Sequence, residues 1–240
     1  KVWDMAKGWL ESRGIDVSSQ MLEIGAFAHA LNGGLLIDEN GESSIPGLYS
    51  AGENAAGPHG ADRLGGNMLV TSQVFGRRAG LHAASYSSDA RPSTSQFTAA
   101  AESLIRARFA KQNTKELGSG DLDRLRKLIS TTFGRYMIVI RNEEGYLRCA
   151  RCLDEVEAEL AAATPASPKE FRPFAELQNM CATGRMMIES GRLRKESRGG
   201  YYRSDYPQRD DENYGHNIFI RLDSGKMSIR TGSISAERKD

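Results

Sequence analysis

The sequence has few cysteines, no long apolar run and almost no net charge. Its 240 residues include 32 Lys and Arg against 31 Asp and Glu, which gives a formal net charge of +1. Such a balance offers no electrostatic attraction to the phosphates of nucleic acid, so we expect no nucleic-acid partner. No stretch approaches the roughly 18 apolar residues that a membrane-spanning helix needs, so we expect no direct membrane insertion.

The three cysteines are Cys149, Cys152 and Cys181. The spacing of Cys149 and Cys152 would suit metal or redox chemistry, but a structural zinc site needs a second pair and a redox motif needs a thioredoxin-like context. We therefore expect buried or half-buried thiols on a helix, and no metal site. Three reduced thiols also indicate a reducing compartment, so the expected location is cytoplasmic.

The most informative segment covers residues 45–81, where a strand, a polar loop and a glycine-opened helix follow one another. The Pro46-Gly47 pair predicts a turn into a short strand that ends near Glu53. The run Leu64-Gly65-Gly66-Asn67 then leads into a helical pattern, with Asn67 as the expected N-cap. Because a helix start exposes unpaired N–H groups, and glycine lets a ligand approach them closely, this segment favours an anion or a polarised carbonyl.

The pattern of apolar residues changes near residue 90. Before it, Leu35-Leu36-Ile37 and Ile45 on either side of Asn40-Gly41 predict a hairpin, and the chain begins with an amphipathic helix that ends near Arg13-Gly14. After a polar linker at residues 85–95, helical spacing predicts a bundle. The apolar positions of these helices are Leu104, Ile105, Phe109, Leu122, Leu125, Leu128, Ile129, Phe133, Tyr136, Met137, Leu147, Leu153, Val156, Leu160, Leu177, Met180, Met186 and Ile188. Alternation between Asn217 and Arg230 predicts a terminal hairpin.

Three segments carry a family resemblance: AHALNGG at 28–34, PGLYSAGENAAGPHGADRLGGNMLVTSQVFGRRAG at 46–80 and ESRGGYYRSDYPQRDDEN at 196–213. In this order they closely resemble the flavoprotein family of succinate dehydrogenase and fumarate reductase, which also contains L-aspartate oxidase and adenylylsulfate reductase. The first segment is similar to the family's substrate-histidine segment, the second to its last FAD-binding segment, and the third to its C-terminal signature.

The resemblance implies an α/β plus all-α fold, with the end of an FAD-binding Rossmann-like domain, a helical bundle and a small C-terminal β-hairpin region. We expect residues 1–22 to end a capping-domain region and residues 23–88 to complete the FAD-binding domain. The bundle would then occupy 96–195 and the C-terminal extension 196–240. Since the family's G-x-G-x-x-G fingerprint for ADP is missing, we expect the chain to be a C-terminal portion of a longer flavoprotein.

The resemblance also implies the activity of an FAD-dependent oxidoreductase of electron transport, which transfers a hydride between the flavin and a dicarboxylate. It implies an iron–sulfur partner subunit, through which the protein would lie at the inner face of the membrane. We expect no catalytic residue in this portion, because the family's catalytic arginine lies in the capping domain. The isolated chain should therefore lack reductase turnover.

Site residues follow from the chemistry and the resemblance together. A guanidinium can bind a carboxylate bidentately, and by resemblance Arg63 is the substrate arginine. His29 corresponds to the substrate histidine, which would donate a hydrogen bond to a substrate carboxylate. By resemblance, Glu53 contacts the FAD sugar chain, and the backbone N–H groups of Met68 and Leu69 approach the isoalloxazine. The cofactor-binding set is thus Glu53, Gly65, Gly66, Asn67, Met68 and Leu69.

Other interpretations stay open at this point. Arg63 could be a surface residue paired with Asp62 or Glu53, and His29 could be an ordinary core histidine. The whole chain could be a non-catalytic subunit or docking module derived from this family. Within the enzymes, the run from Asp205 to Asn213 favours the dehydrogenase and fumarate reductase branch over L-aspartate oxidase.

Overall fold

The structure, a computed structural model, describes residues 2–23, 25, 29–86, 94–108, 115–223 and 226–233. The α-helices are α1 (Val2–Glu11), α2 (Asn67–Ser85), α3 (Thr94–Arg108), α4 (Ser119–Tyr136), α5 (Glu143–Ala161), α6 (Phe171–Leu193) and α7 (Asp211–Tyr214), with short 3-10 helices at Gly52–Asn54 and Pro168–Glu170. The strands are β1 (Leu35–Leu36), β2 (Ala55–Ala56), β3 (Lys115–Leu117), β4 (Ile140–Arg141), β5 (Ala163–Pro165), β6 (Tyr202–Arg203), β7 (Asn217–Asp223) and β8 (Lys226–Gly232).

The strands of the described residues pair two by two. Parallel pairs join β1 to β2, β3 to β5 and β4 to β6, and each of these covers only two or three residues per strand. The antiparallel pair β7 and β8 confirms the predicted terminal hairpin, whose turn residues 224 and 225 lie outside the described residues. The chain therefore combines helices with short sheet segments, and its domain boundaries stay predictions.

Helices α4, α5 and α6 enclose the main hydrophobic core. Their buried residues recur at helical spacing, as the sequence predicts, so that one face of each helix is removed from water. The core contains Leu122, Leu125, Ile129, Tyr146, Cys149, Cys152, Leu153, Val156, Leu160, Phe174, Leu177, Cys181 and Ile188.

Two assignments to this core were wrong. Leu147 and Met186 are each 39% exposed, whereas Tyr146 is completely buried. On α5, Tyr146 lies three positions before Cys149 and therefore on the same face as Cys149 and Leu153. Leu147, the next residue, is rotated away from Tyr146 by about 100° around the helix axis. The predicted positions Leu104, Ile105 and Phe109 lie outside the described side chains.

All three cysteines are buried and free. Burial raises the pKa of Cys149 to about 12 and that of Cys181 to about 11, and it also raises the pKa of Cys152. Because a thiolate is the nucleophile and the metal ligand, these side chains act as small apolar groups of the core. The described residues contain no cluster of three or more metal-ligating side chains.

Helix α6 passes very close to α5 at Gly191. A Cβ built on Gly191 would lie 2.5 Å from the hydroxyl oxygen of Tyr146, which is completely buried. This hydroxyl shares a 2.8 Å hydrogen bond with the Tyr201 hydroxyl, which in turn donates to the Gly191 carbonyl at 2.7 Å. Glycine at this position therefore permits both the helix contact and the tyrosine pair.

We expect Gly191→Ala to lower the free energy of unfolding by about 1–3 kcal/mol, the usual cost of overpacking a core. Gly80→Ala is the matched control, since Gly80 lies inside α2 and a methyl group added there would have no neighbour within 4 Å. The control should be neutral or stabilising by up to about 1 kcal/mol. Urea denaturation of both variants measures the difference, and equal stabilities would contradict this packing.

The N-terminal part confirms some predictions and corrects others. Helix α1 is present, and Gly47 adopts a φ of 79° in a turn in which the Leu48 N–H donates to the Ile45 carbonyl. The hairpin across Asn40-Gly41 was wrong, because β1 pairs in parallel with β2 instead. The Asp38 carboxylate accepts the N–H groups of residues 40 and 42 at 2.8 Å and so stabilises a local turn that follows β1.

The expected N-cap of α2 was wrong by one residue. Gly66 is the N-cap residue, with a φ of 83°, and because glycine has no side chain it provides no capping hydrogen bond. Asn67 is already the first helical residue, and its N–H donates to the Leu64 carbonyl at 3.1 Å. A left-handed residue is needed where the loop enters the helix, and glycine adopts this conformation without strain.

Among the described residues, no helix is both long and apolar enough to cross a membrane.

Candidate functional site

The candidate site is built around the loop of residues 57–66, which joins β2 to α2. The 3-10 helix Gly52–Asn54 precedes this loop and lies against the first turns of α2: a Cβ on Gly52 would be 3.1 Å from the Ser72 Oγ. The loop therefore starts and ends beside the same helix, and its residues are presented at the N-terminus of α2.

Arg63 is the central residue of this loop. Its backbone N–H donates to Asp62 Oδ1 at 2.7 Å. Its side-chain Nε is buried and has no hydrogen-bond acceptor, one of two such buried side-chain atoms in the described part of the chain. No carboxylate of the described residues lies within ion-pair distance of the guanidinium, which contradicts the alternative pairing with Asp62 or Glu53. A buried donor without an acceptor is costly, so this geometry suits an external anion.

Glu53 and Asp62 connect this loop to the segment that follows His29. Glu53 Oε1 accepts the Leu31 N–H at 2.8 Å, and Asn32 Nδ2 donates to Asp62 Oδ1 at 3.4 Å. Leu31 and Asn32 come just after His29, which is itself exposed. The structure thus brings the predicted substrate-histidine segment beside both the Glu53 turn and the Arg63 loop.

The turn into α2 offers backbone donors to a ligand. The N–H groups of Asn67 and Leu69 donate to the carbonyls of Leu64 and Gly66, both at 3.1 Å. Within the described residues, the N–H of Met68 has no protein acceptor, as expected for the first turn of a helix. Two backbone donors were predicted for the isoalloxazine. The N–H of Met68 is available to a ligand, whereas the N–H of Leu69 already donates to the Gly66 carbonyl.

His59 is a member of this loop that the predicted site did not include. Its Nε2 shares a 2.9 Å hydrogen bond with Thr71 Oγ1, and the same Thr71 oxygen lies 3.0 Å from the Met68 carbonyl. His59 therefore holds the loop against the first turn of α2. The sequence marks it as a loop residue next to Gly60 that could line the same pocket or be an ordinary loop histidine.

The C-terminal signature also reaches the loop. A Cβ on Gly200 would lie 2.8 Å from Asp62 Oδ2, and one on Gly199 would lie 3.2 Å from the Asp62 Cβ. The Arg198–Tyr201 turn is thus in contact with the residue next to Arg63. Sequence reasoning did not find this contact, because the two segments are far apart in the chain.

Two completely buried charged residues, Arg203 and Glu196, anchor that signature. Arg203 donates to Asp205 through two bonds of 2.9 and 2.7 Å and to the Gly191 carbonyl at 2.7 Å. The Arg203 hydrogen bonds hold the pKa of Asp205 below its usual value. Burial alone would raise the pKa of Glu196, but hydrogen bonds from Arg198, the Asp210 N–H and Arg194 outweigh it and lower that pKa.

Comparisons with known proteins identify the family of this chain. The family model described as fumarate reductase flavoprotein C-term matches residues 126–238, and the FAD binding domain model matches residues 11–69. The chain belongs to the succinate dehydrogenase and fumarate reductase flavoprotein family. The FAD binding domain match makes this chain part of a flavoprotein that uses FAD.

Relatives of this flavoprotein chain come from several branches. It is 32% identical over 202 residues to a subunit of the fumarate reductase (CoM/CoB) of Methanothermobacter marburgensis, in a match that covers 81% of the chain and 36% of that protein. It is also 32% identical over 220 residues to L-aspartate oxidase of Caulobacter vibrioides, covering 91% and 36%. Sequence identity therefore does not separate these branches.

A solved structure of similar fold is Mycobacterium smegmatis Sdh1 in complex with UQ1, with a TM-score of 0.78 and 27% identity. The match covers 95% of this flavoprotein chain and 39% of that one. The chain thus spans little more than a third of the length of these relatives.

Proposed function

We propose that this chain forms one wall of the active site of an FAD-dependent oxidoreductase that transfers a hydride between the flavin and a dicarboxylate. The observation that carries the proposal is the Arg63 side chain, whose buried Nε has no acceptor and which has no ion-pair partner among the described residues. A permanent cation with an unused donor is suited to a substrate carboxylate.

The described residues fit the flavin as well as the substrate. A flavin held here would supply the hydride chemistry, while the chain would bind and orient the reactants. The Met68 N–H and the positive end of α2 would stabilise negative charge on the flavin ring. Glu53, which already accepts the Leu31 N–H, keeps acceptor capacity for hydroxyl groups of the FAD sugar chain.

Arg63 and His29 would then hold the dicarboxylate. Arg63 would bind one carboxylate through its guanidinium, and His29 would donate a hydrogen bond to the substrate from the neighbouring segment. Holding both ends of the dicarboxylate would orient its reacting carbon toward the flavin, and such positioning lowers the barrier to hydride transfer. We infer that the proton step uses a group outside these residues, so the chain on its own should show no reductase turnover.

The partner and the location belong to the same proposal. An iron–sulfur subunit would exchange electrons with the flavin, and it would bring the protein to the inner face of the membrane. The names of relatives support this extension: an 8-methylmenaquinol:fumarate reductase of Wolinella succinogenes contains a flavoprotein subunit that is 30% identical over 224 residues. Co-purification of a partner that contains iron and labile sulfide is the corresponding measurement.

The proposal is tested on the protein expressed from its complete gene and purified with its flavin. We expect succinate to bleach the oxidised flavin, or fumarate to reoxidise the reduced flavin, far faster than monocarboxylates of similar size do. Bleaching by L-aspartate instead would assign the chain to the L-aspartate oxidase branch. A protein that carries no flavin would favour the docking-module alternative and overturn the proposal.

A further inference from the structure

Asp62 lies where three segments of the chain meet. One of its carboxylate oxygens, Oδ1, accepts the Arg63 N–H at 2.7 Å and an Asn32 Nδ2 hydrogen at 3.4 Å. Its other oxygen, Oδ2, lies beside Gly200, where a Cβ would come within 2.8 Å of it. The carboxylate therefore contacts the substrate-histidine segment, the Arg63 backbone and the C-terminal signature at once.

The turn that carries Gly200 is held firmly. Arg198 and Tyr201 exchange backbone hydrogen bonds of 2.8 and 2.9 Å across it. Arg198 also donates to both oxygens of the completely buried Glu196, at 2.8 and 2.9 Å. Because a charge-assisted, bidentate pair with a buried carboxylate is geometrically specific, these bonds fix the conformation of the turn that faces Asp62.

Gly200 makes room for the Asp62 carboxylate rather than satisfying a backbone requirement. Its backbone lies outside the left-handed region, unlike that of Gly199, whose φ is 56°. An alanine could adopt the same backbone, but its methyl group would come within 2.8 Å of Asp62 Oδ2, so the carboxylate would have to move. Glycine at position 200 therefore leaves the space that the carboxylate of Asp62 occupies.

We propose that Asp62 is a positioning residue, which holds the Arg63 loop between the Asn32 segment and the Gly199–Gly200 turn. The inference rests on the proposed function, because it assigns to Arg63 the binding of the substrate anion. Asp62 Oδ1 accepts the Arg63 backbone N–H and the Asn32 amide, and the carboxylate forms no ion pair with the guanidinium within the described residues. The charge of Arg63 is thereby oriented without being neutralised.

A double-mutant cycle tests this clamp. The dissociation constant of malonate, a dicarboxylate that the flavin cannot oxidise, is measured from its perturbation of the flavin absorbance in the protein from the complete gene. We expect Asp62→Ala to raise this constant about tenfold, the effect of losing one hydrogen bond to a charged group. Gly200→Ala should raise it as well, because the added methyl group would displace the Asp62 carboxylate. Since both variants break the same contact, the double variant should be no weaker than Asp62→Ala.

Hydrogen exchange gives a second measurement that does not depend on the substrate. In Asp62→Ala the peptide that contains the Arg63 amide should exchange faster than in the unmodified protein, whereas Asp62→Asn keeps an acceptor for this amide and should restore slow exchange. The controls Asp123→Ala and Gly120→Ala remove an exposed carboxylate and a glycine with open space around it, both on α4, and should change neither measurement.

The outcomes separate the two proposals. If the unmodified protein carries flavin but binds no dicarboxylate, the proposed function loses its support, and hydrogen exchange alone decides the clamp. Fully additive effects of Asp62→Ala and Gly200→Ala on malonate binding would overturn the clamp. Unchanged exchange at Arg63 in Asp62→Ala would overturn it as well.

Discussion

Replacing Arg63 with alanine should lower kcat/KM for a dicarboxylate at least about a hundredfold, because it removes charge-assisted hydrogen bonds worth about 1.5–3 kcal/mol each. In the proposed site, the buried Nε without an acceptor would be arranged for an anion before the anion arrives. Preorganised donors of this kind contribute more to rate than donors that water must first release. Steady-state kinetics on the flavin-loaded protein measures the effect.

Two further variants define what the loss means. Arg63→Lys keeps the positive charge but cannot form the two parallel hydrogen bonds, so its kcat/KM should fall between those of the alanine variant and the unmodified protein. Arg151→Ala removes an exposed arginine on α5 and should have no effect. The flavin content should be the same in all of these proteins. An Arg63→Ala variant with unchanged kinetics would refute the assignment of the substrate carboxylate to this residue.

Replacing Arg203 with methionine should lower the free energy of unfolding by about 3–5 kcal/mol, the cost of breaking a buried ion pair. Arg203 is completely buried, and its guanidinium satisfies both oxygens of Asp205 and the carbonyls of Gly191 and Arg194 near the end of α6. Methionine fills a similar volume but leaves these acceptors without donors. Equilibrium denaturation in urea measures the change.

Arg172→Ala is the matched control for this experiment. Arg172 also pairs with a carboxylate, Glu176 at 2.8 Å, but its side chain is 89% exposed. Exposed pairs of this kind contribute less than about 1 kcal/mol, so the control should be nearly neutral. If Arg203→Met were as mild as the control, the C-terminal signature would not depend on its buried arginine.

The sequence predicts the helical part of the fold well, because burial on a helix follows a local spacing. The apolar stripes of α4, α5 and α6 and the hairpin of β7 and β8 are confirmed. The error at Leu147 shows the limit of this reasoning. Leu147 is apolar but is rotated away from the buried face, whereas Tyr146 lies on the same face as Cys149 and Leu153 and packs against α6 at Gly191.

The failure of the hairpin at Asn40-Gly41 has a different cause. A turn signal is local, but strand pairing requires a partner edge, and here the partner of Leu35–Leu36 is Ala55–Ala56. The 3-10 helix at Gly52–Asn54 brings that edge alongside β1. Hydrogen bonds within residues 38–42 close this turn, so it does not require β1 to pair across it.

For this protein, the sequence by itself determined the family, the FAD cofactor, the helical spacing of the core and the loop in which Arg63 lies. These features depend on residue types at short and regular separations, which are visible along the chain. Only the tertiary structure decided which partners the charged residues take. The Asp62 carboxylate accepts the backbone N–H of Arg63 and lies against Gly200, and the Glu53 carboxylate accepts the Leu31 N–H. Contacts between distant segments depend on how whole elements pack, and no local pattern specifies them.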